Sequence, residues 1–265
     1  MPEIISSVTN PKIKHIVALR DRRSRKQDDL TIIEGEREIW MALEAKVDVR
    51  ELYWFGESQD PLKAKIMDRL NSAKKPIYET SAPVFKKIAY GDREQGLLCL
   101  AKVAELGLND MPKKEKAVYV VIERVEKPGN LGAILRSCDG AGADAVIVCD
   151  PSTDIHNPNA IRSSLGTVFT MKVAVTTSDK AYEFLKKNNV EVIATSPQAK
   201  KLYTQIDVNK SLALIVGSER EGLSPFWLRK AQQTLRIPMK GRVDSLNVSV
   251  STAIVLYEIN RQRSQ

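Results

Sequence analysis

Four short runs constrain this chain more than any other feature: residues 117–122, 145–149, 190–194 and 212–216 are almost uninterruptedly apolar, with helical patterns between them. A strand with one wet face alternates apolar and polar residues, whereas a strand covered on both faces does not have to. Strands of the second kind separated by helices form crossover units. Residues 117–265 are therefore predicted to build a mostly parallel α/β sheet with helices on both faces. Ligands of such sheets gather beyond the carboxyl ends of the strands. Here those ends carry Glu123-Arg-Val-Glu-Lys-Pro-Gly-Asn130, Thr195-Ser-Pro197 and Gly217-Ser-Glu-Arg-Glu-Gly222.

Residues 1–104 repeat the alternation on a smaller scale, with strand patterns at 30–33, 52–55, 77–78 and 96–101, and are expected to form an α/β unit of their own. Between the two, residues 105–116 hold Gly107, Asn109, Pro112 and three lysines and interrupt the periodicity, which is the composition of a linker.

Composition narrows the class of function. A formal net charge of +8 favours an anionic partner such as nucleic acid or a membrane surface. The excess is not a tail, since 19 Lys and Arg face 16 Asp and Glu up to residue 104, and 22 face 17 beyond it. The densest basic run, Arg20-Asp-Arg-Arg-Ser-Arg-Lys26, reads equally as a solvated helix end or as a set of phosphate contacts. Cys99, Cys138 and Cys149 lie far apart and the only histidines are His15 and His156, a pattern with neither metal-ligand spacing nor a disulfide framework. No apolar run approaches the ~20 residues that cross a bilayer, and the first residues lack the apolar core of a secretory signal. A cytoplasmic protein with no membrane partner is expected.

Three polar segments follow the strands. In Pro128-Gly-Asn-Leu-Gly-Ala-Ile-Leu-Arg136, Asn130 is suited to cap a helix starting near Leu131, and Arg136 is either solvated or a positioned cation. Its glycines do not make G-x-G-x-x-G and no Lys-Ser/Thr follows, which argues against a dinucleotide or kinase-type phosphate loop. In Gly217-Ser-Glu-Arg-Glu-Gly-Leu-Ser224, Gly217 permits close backbone approach. Glu219 and Glu221 there either serve the helix that Ser224-Pro225 begins or offer acceptors to a site. The third, Ile237-Pro-Met-Lys-Gly-Arg-Val-Asp-Ser-Leu-Asn247, runs into a helical pattern with Val248, Val250, Ile254, Val255 and Ile259. Ser245 and Asn247 are capping residues by type, while Lys240 and Arg242 flank Gly241 in a loop able to hold a ligand against exposed backbone.

In this order and wording the three segments resemble the three motifs of the SpoU/TrmH family, S-adenosylmethionine-dependent RNA ribose 2′-O-methyltransferases of the SPOUT superfamily. The resemblance spans most of residues 117–260. The N-terminal unit, with Asn10-Pro-Lys-Ile-Lys14 and Ile33-Glu-Gly-Glu36, is more loosely similar to the smaller ribosomal-protein-like RNA-binding domain that many such enzymes carry. What the resemblance implies is a SPOUT-type α/β fold whose C-terminal part is tied in a trefoil knot, one of the rare exceptions to unknotted connectivity. It further implies S-adenosylmethionine held at Thr195, Gly217, Ile237, Met239 and Leu246, and a polar constellation of Asn130, Arg136, Glu219, Ser245 and Asn247. Arg136 would stand beside the 2′-hydroxyl, either as an unusually deprotonated base or as a cation that stabilises the developing alkoxide, the second being favoured because an arginine almost never loses its proton. A homodimer is implied as well, with Ile254, Val255 and Ile259 able to serve interface or core. One departure stands out: Glu126-Lys127 precedes Pro128 where the family usually ends a polar approach in Asn-Pro or Asp-Pro. Asn159-Ala-Ile-Arg-Ser-Ser-Leu-Gly-Thr167 resembles the family's Arg-x-Ser-x-Gly phrase, making Arg162 and Ser164 secondary candidates for RNA contact or pocket shaping, with a structural role the stronger expectation.

The expected substrate is RNA, with 23S-type ribosomal RNA favoured over transfer RNA because an N-terminal domain is available to read it. The same fold and chemistry serve tRNA modification and antibiotic-resistance methylation of rRNA. Outside the enzymes, the alternative is a noncatalytic RNA-binding or ribosome-assembly factor that keeps the fold.

Overall fold

A computed structural model describes residues 3–57, 60–90 and 96–264. The chain folds as two compact units, residues 1–104 with 154–170, and residues 105–153 with 171–265.

The first unit is built on a five-stranded mixed sheet of order β1-β4-β3-β5-β2, formed by β1 (Glu3–Ile5), β2 (Thr31–Glu34), β3 (Asp48–Phe55), β4 (Ile77–Thr80) and β5 (Gly96–Lys102). Strands β1 and β3 lie parallel to β4, whereas β5 runs antiparallel to β2 and β3. Helices α1 (Pro11–Ala18), α2 (Arg22–Asp28), α3 (Glu36–Glu44), α4 (Pro61–Ser72) and α5 (Ala82–Ile88) connect them. The Asn10-Pro11 phrase has a local cause: the Asn10 side chain accepts the Lys12 N–H at 2.9 Å, and Pro11 occupies the first turn, where no N–H is needed. In Ile33-Glu-Gly-Glu36, Gly35 starts α3 with φ 108°, which an L side chain disfavours. Ile13, Ile16, Tyr53, Phe85 and Leu98 share this unit's core.

The chain enters the second unit with β6 (Val118–Glu123), α6 (Pro128–Gly140) and β7 (Ala145–Cys149), then returns to the first as α7 (Pro158–Ser163) and α8 (Thr167–Thr170). It finishes in the second unit through β8 (Val173–Thr176), α9 (Ser178–Lys187), β9 (Glu191–Thr195), β10 (Lys201–Leu202), β11 (Leu212–Val216), α10 (Pro225–Lys230), β12 (Gln233–Arg236) and α11 (Val248–Arg263). The seven strands pair in the order β10-β12-β9-β11-β6-β7-β8, every pair parallel. Strands β6, β7 and β11 are buried along their whole length, as their unbroken apolar character requires. On one face Trp227 of α10 with Ala181 and Leu185 of α9 close over Tyr119, Val121, Ile147 and Ile215. Val120, Ile122, Val146 and Val148, pointing the other way by alternation, are equally buried, and α6 packs against α11.

Two stretches differ from the simple partition at residues 104 and 117. Residues 105–116 do not behave as a free connection: Leu106 bridges in parallel to Ala174, Leu106 and Leu108 pack on the second core, and Met111 is buried. The Tyr119 hydroxyl donates to the Pro112 carbonyl. Apolar side chains among the glycine and lysines supply burial that linker composition conceals.

Residues 154–170 cluster with the first unit, not with the sheet that precedes and follows them. Arg25, only 4% exposed, pairs with Asp154 at 2.9 Å, and its Nη1 donates to the Leu19 and Arg20 carbonyls. The Thr31 hydroxyl donates to the His156 carbonyl at 2.7 Å. His156 stacks on Phe169, and burial pushes its pKa down to about 4, with Asp154 opposing the shift and Arg25 adding to it. Helix α8 packs on α3, where a Cβ on Gly166 would fall 2.8 Å from the Met41 Cβ. Ser164 is fully buried and its hydroxyl donates to the Ile161 carbonyl at 2.8 Å, so its role in the Arg-x-Ser-x-Gly phrase is to shape a turn, while Arg162 is exposed. Arg20 donates to the Lys87 and Ala89 carbonyls. Two cations of the densest basic run, Arg20 and Arg25, are thus engaged by the fold.

Candidate active site

Each polar segment leaves the carboxyl end of a strand in the second unit. Helix α6 starts at Pro128, three residues before the expected Leu131, because proline is at home in a first turn. Asn130 therefore lies inside that turn and its side chain does not cap; its amide donates to Glu219 Oε1. After β11 the chain closes a tight loop in which Ser218 and Gly222 exchange backbone hydrogen bonds at 3.1 and 3.0 Å. A Cβ on Gly217 would lie 2.2 Å from the Gly222 carbonyl group, so only glycine allows this crossing. Glu219 projects from the loop. Its neighbour Ser224 leads into α10 at Pro225 as expected, but the Ser224 N–H is bound by the buried Glu123 carboxylate at 2.8 Å and Glu219 is left for other work.

The third segment supplies Asn247, which performs two tasks. Its Oδ1 accepts the Ser249 N–H at 2.9 Å and so caps α11; its Nδ2 donates to Glu219 Oε1 at 2.8 Å and to Asn130 Oδ1 at 3.2 Å. Lys127 completes the cluster with a 2.5 Å hydrogen bond to Glu219 Oε2, which holds the lysine ammonium above its ordinary pKa. Asn130, Glu219 and Asn247 come together; Lys127, noticed in the sequence only as a departure from a pattern, joins them. The signal that could have found it, a cation opposite an acidic loop, is hidden by the 92-residue separation of the partners.

Beside this cluster is a cavity of about 380 Å³. Its wall includes all five expected cofactor positions, Thr195, Gly217, Ile237, Met239 and Leu246, together with Glu219 and Ser245. Val216, Leu235, Val248 and Val255 add apolar surface, and Thr195 is fixed by donating to the Ile215 carbonyl at 3.1 Å. Its volume is that of ordinary small-molecule pockets, about 300–1,000 Å³. Arg136 is different: it is exposed on α6 and is not part of the cavity wall. Among the described residues no group of His, Cys, Asp and Glu could hold a metal ion, and the three cysteines are buried thiols whose pKa burial raises.

Known proteins share this architecture. The sequence profile of the SpoU rRNA Methylase family matches residues 117–257, and that of the MRM3-like substrate binding domain matches residues 10–99. The chain is 30% identical to the 23S rRNA (guanosine(2553)-2′-O)-methyltransferase RlmP of Bacillus subtilis, over 96% of this chain and 98% of the other. A crystal structure of an RNA 2′-O ribose methyltransferase superposes with TM-score 0.88 at 38% identity, covering 99% and 100% of the two chains. The AdoMet-bound rRNA methyltransferase of Sinorhizobium meliloti gives TM-score 0.89 at 29% identity, covering 98% of each. With a matching profile over the parallel sheet and its loops, and relatives aligned nearly end to end, the chain belongs to the SpoU rRNA methylase family.

Proposed function

We propose that this protein transfers a methyl group from S-adenosylmethionine to a ribose 2′-hydroxyl of RNA, with 23S-type ribosomal RNA as substrate. The observation that carries the reading is the convergence of Asn130, Glu219 and Asn247, from three separate segments, at the edge of the cavity formed by Gly217, Ile237, Met239 and Leu246. The substrate preference comes from the similarity to RlmP and from the MRM3-like domain over residues 10–99.

S-adenosylmethionine, when bound, supplies an activated methyl group. The apolar side chains of Leu235, Ile237, Met239 and Leu246 fit the flat face of an adenine, and the backbone near Gly217 is bare enough for close approach. Glu219, held by two amides and an ammonium, fixes the polar edge where the ribose lies. Alkoxide character that develops on the ribose oxygen calls for a cation, and Arg136 is the residue assigned to it.

Arg136 reaches that position in a homodimer. On α11, Val250 and Tyr257 are 47% and 54% exposed and share one helical stripe with the half-buried Ile254. Tyr257 lies beside Gly140, one turn beyond Arg136 on α6. An isologous contact through this apolar face would bury it and bring each Arg136 to the seam. Val255 and Ile259, by contrast, are core.

The test is incubation with methyl-labelled S-adenosylmethionine and separated, unmodified rRNA and tRNA, followed by mapping of ribose methylation. Label in a 23S rRNA nucleotide supports the reading; label in tRNA alone moves the substrate; label in neither, with no heat of S-adenosylmethionine binding, leaves an RNA-binding protein.

A further inference from the structure

Four contacts zip the loop after β6 to the loop after β11. Glu123 accepts the Ser224 N–H at 2.8 Å, Arg124 approaches Glu221 at 3.8 Å, Lys127 binds Glu219 at 2.5 Å, and Asn130 donates to the same carboxylate. The two segments run in opposite directions, so successive cations of one face successive carboxylates of the other.

The central pair is lopsided. The Glu219 side chain is 25% exposed and its Oε1 already receives two amide donors, whereas the Lys127 side chain is 70% exposed and donates to Oε2. Glu219 is thus oriented without Lys127. What Lys127 adds is charge: it neutralises a carboxylate standing where a polyanionic strand must lie. An ion pair this exposed is worth less than about tenfold in an equilibrium, so a competing anion can take the ammonium cheaply. A phosphodiester is such an anion, and lysine binds it as a point charge from any direction.

We infer that Lys127 is a substrate-positioning residue, held on Glu219 in the free protein and transferred to a phosphodiester next to the target ribose when RNA binds. Arg124, paired at longer distance with Glu221, provides a second, weaker contact of the same kind. Resting on the methyltransferase reading for its substrate class, this adds a residue that the three-motif constellation does not include.

The experiment compares wild type with Lys127→Met and Lys127→Arg, using an unmodified 23S rRNA transcript, and measures RNA affinity across a salt series by filter binding, then KM and kcat for methyl transfer. Lys127→Met is expected to weaken RNA affinity about five- to tenfold and to reduce the slope of log affinity against log salt by about 0.7–0.9, the signature of one lost phosphate contact. Lys127→Arg should restore most of both, and S-adenosylmethionine affinity should be unchanged in all three proteins. An unaltered salt slope in Lys127→Met overturns the proposal, as does a fall confined to kcat at saturating RNA, which would make Lys127 only a support for Glu219. Because affinity is read without turnover, a wild type that binds RNA but transfers no methyl defeats the catalytic reading and leaves this test in force.

Discussion

Two charged clusters each join residues from distant parts of the sequence, and they are built on opposite terms. In the first unit the buried Arg25 meets a partly exposed Asp154, with its Nη1 donating to two backbone carbonyls and a neutral His156 alongside. In the second unit Glu219 meets Asn130, Asn247 and Lys127 at the edge of a cavity, where an ammonium still faces solvent. A pair whose cation is buried and bonded to backbone carbonyls can only hold a segment in place; a more solvated one beside a cavity can exchange partners. Substitutions should therefore separate stability from chemistry.

The largest effect is expected at Arg25. Removing one partner of a buried ion pair strands the other, at about 3–5 kcal/mol. Arg25→Met should lower denaturant stability by that amount, while S-adenosylmethionine affinity of the folded protein is retained; Arg25→Met with Asp154→Asn should lose less than Arg25→Met alone. A double variant as unstable as the single one would mean that the carbonyl contacts, not the pair, hold residues 154–170.

Next comes pH. His156 has a folded pKa of about 4 against an ordinary 6.5, so the unfolded chain takes up a proton that the folded one refuses between those values. The contribution is fully present above about pH 6.5 and is lost as pH falls toward 4, by up to about 3 kcal/mol. Urea titrations at pH 7 and 4.5 should show this loss in wild type and a flatter profile in His156→Gln. An unchanged profile would remove histidine from the account of acid sensitivity.

At Glu219 the balance reverses. Glu219→Gln keeps the shape but presents a neutral amide to Lys127, and misplacing a polar edge beside reacting atoms costs about 10²-fold in rate. Single-turnover methyl transfer should fall by that factor with the unfolding midpoint little moved. Should the variant instead unfold early and, when folded, methylate normally, the distinction between the two clusters collapses.

How much of this was legible in the sequence follows the same line. Unbroken apolar runs gave away β6, β7, β9 and β11 to within a residue, because covering a strand on both faces leaves a local mark. Strands β1, β8, β10 and β12 escaped: the first three are sheet edges and β12 lies next to one, all are two to four residues long, and β12 reads Gln-Thr-Leu-Arg. Asn130, Glu219 and Asn247 were identified by resemblance, but that their side chains bond to one another is a tertiary fact. So is the capture of Asp154 by Arg25 across 129 residues, and that of Glu219 by Lys127. Nor does any periodicity report the threading that a trefoil knot requires.

Asn247 is where both terms meet in one side chain, and its effects are the smallest and the most discriminating. Its oxygen caps α11 and its nitrogen steers Glu219. Serine can replace the oxygen as a cap but has no second donor to offer across the loop, whereas alanine can do neither. Asn247→Ala should lose about 1 kcal/mol of stability and slow methyl transfer less than Glu219→Gln does, and Asn247→Ser should keep the stability and slow only the transfer. Measured side by side in denaturant and single-turnover assays, equal activity in Asn247→Ser and wild type would reduce Asn247 to a helix cap, and the polar edge of the site would then rest on Asn130 and Glu219 alone.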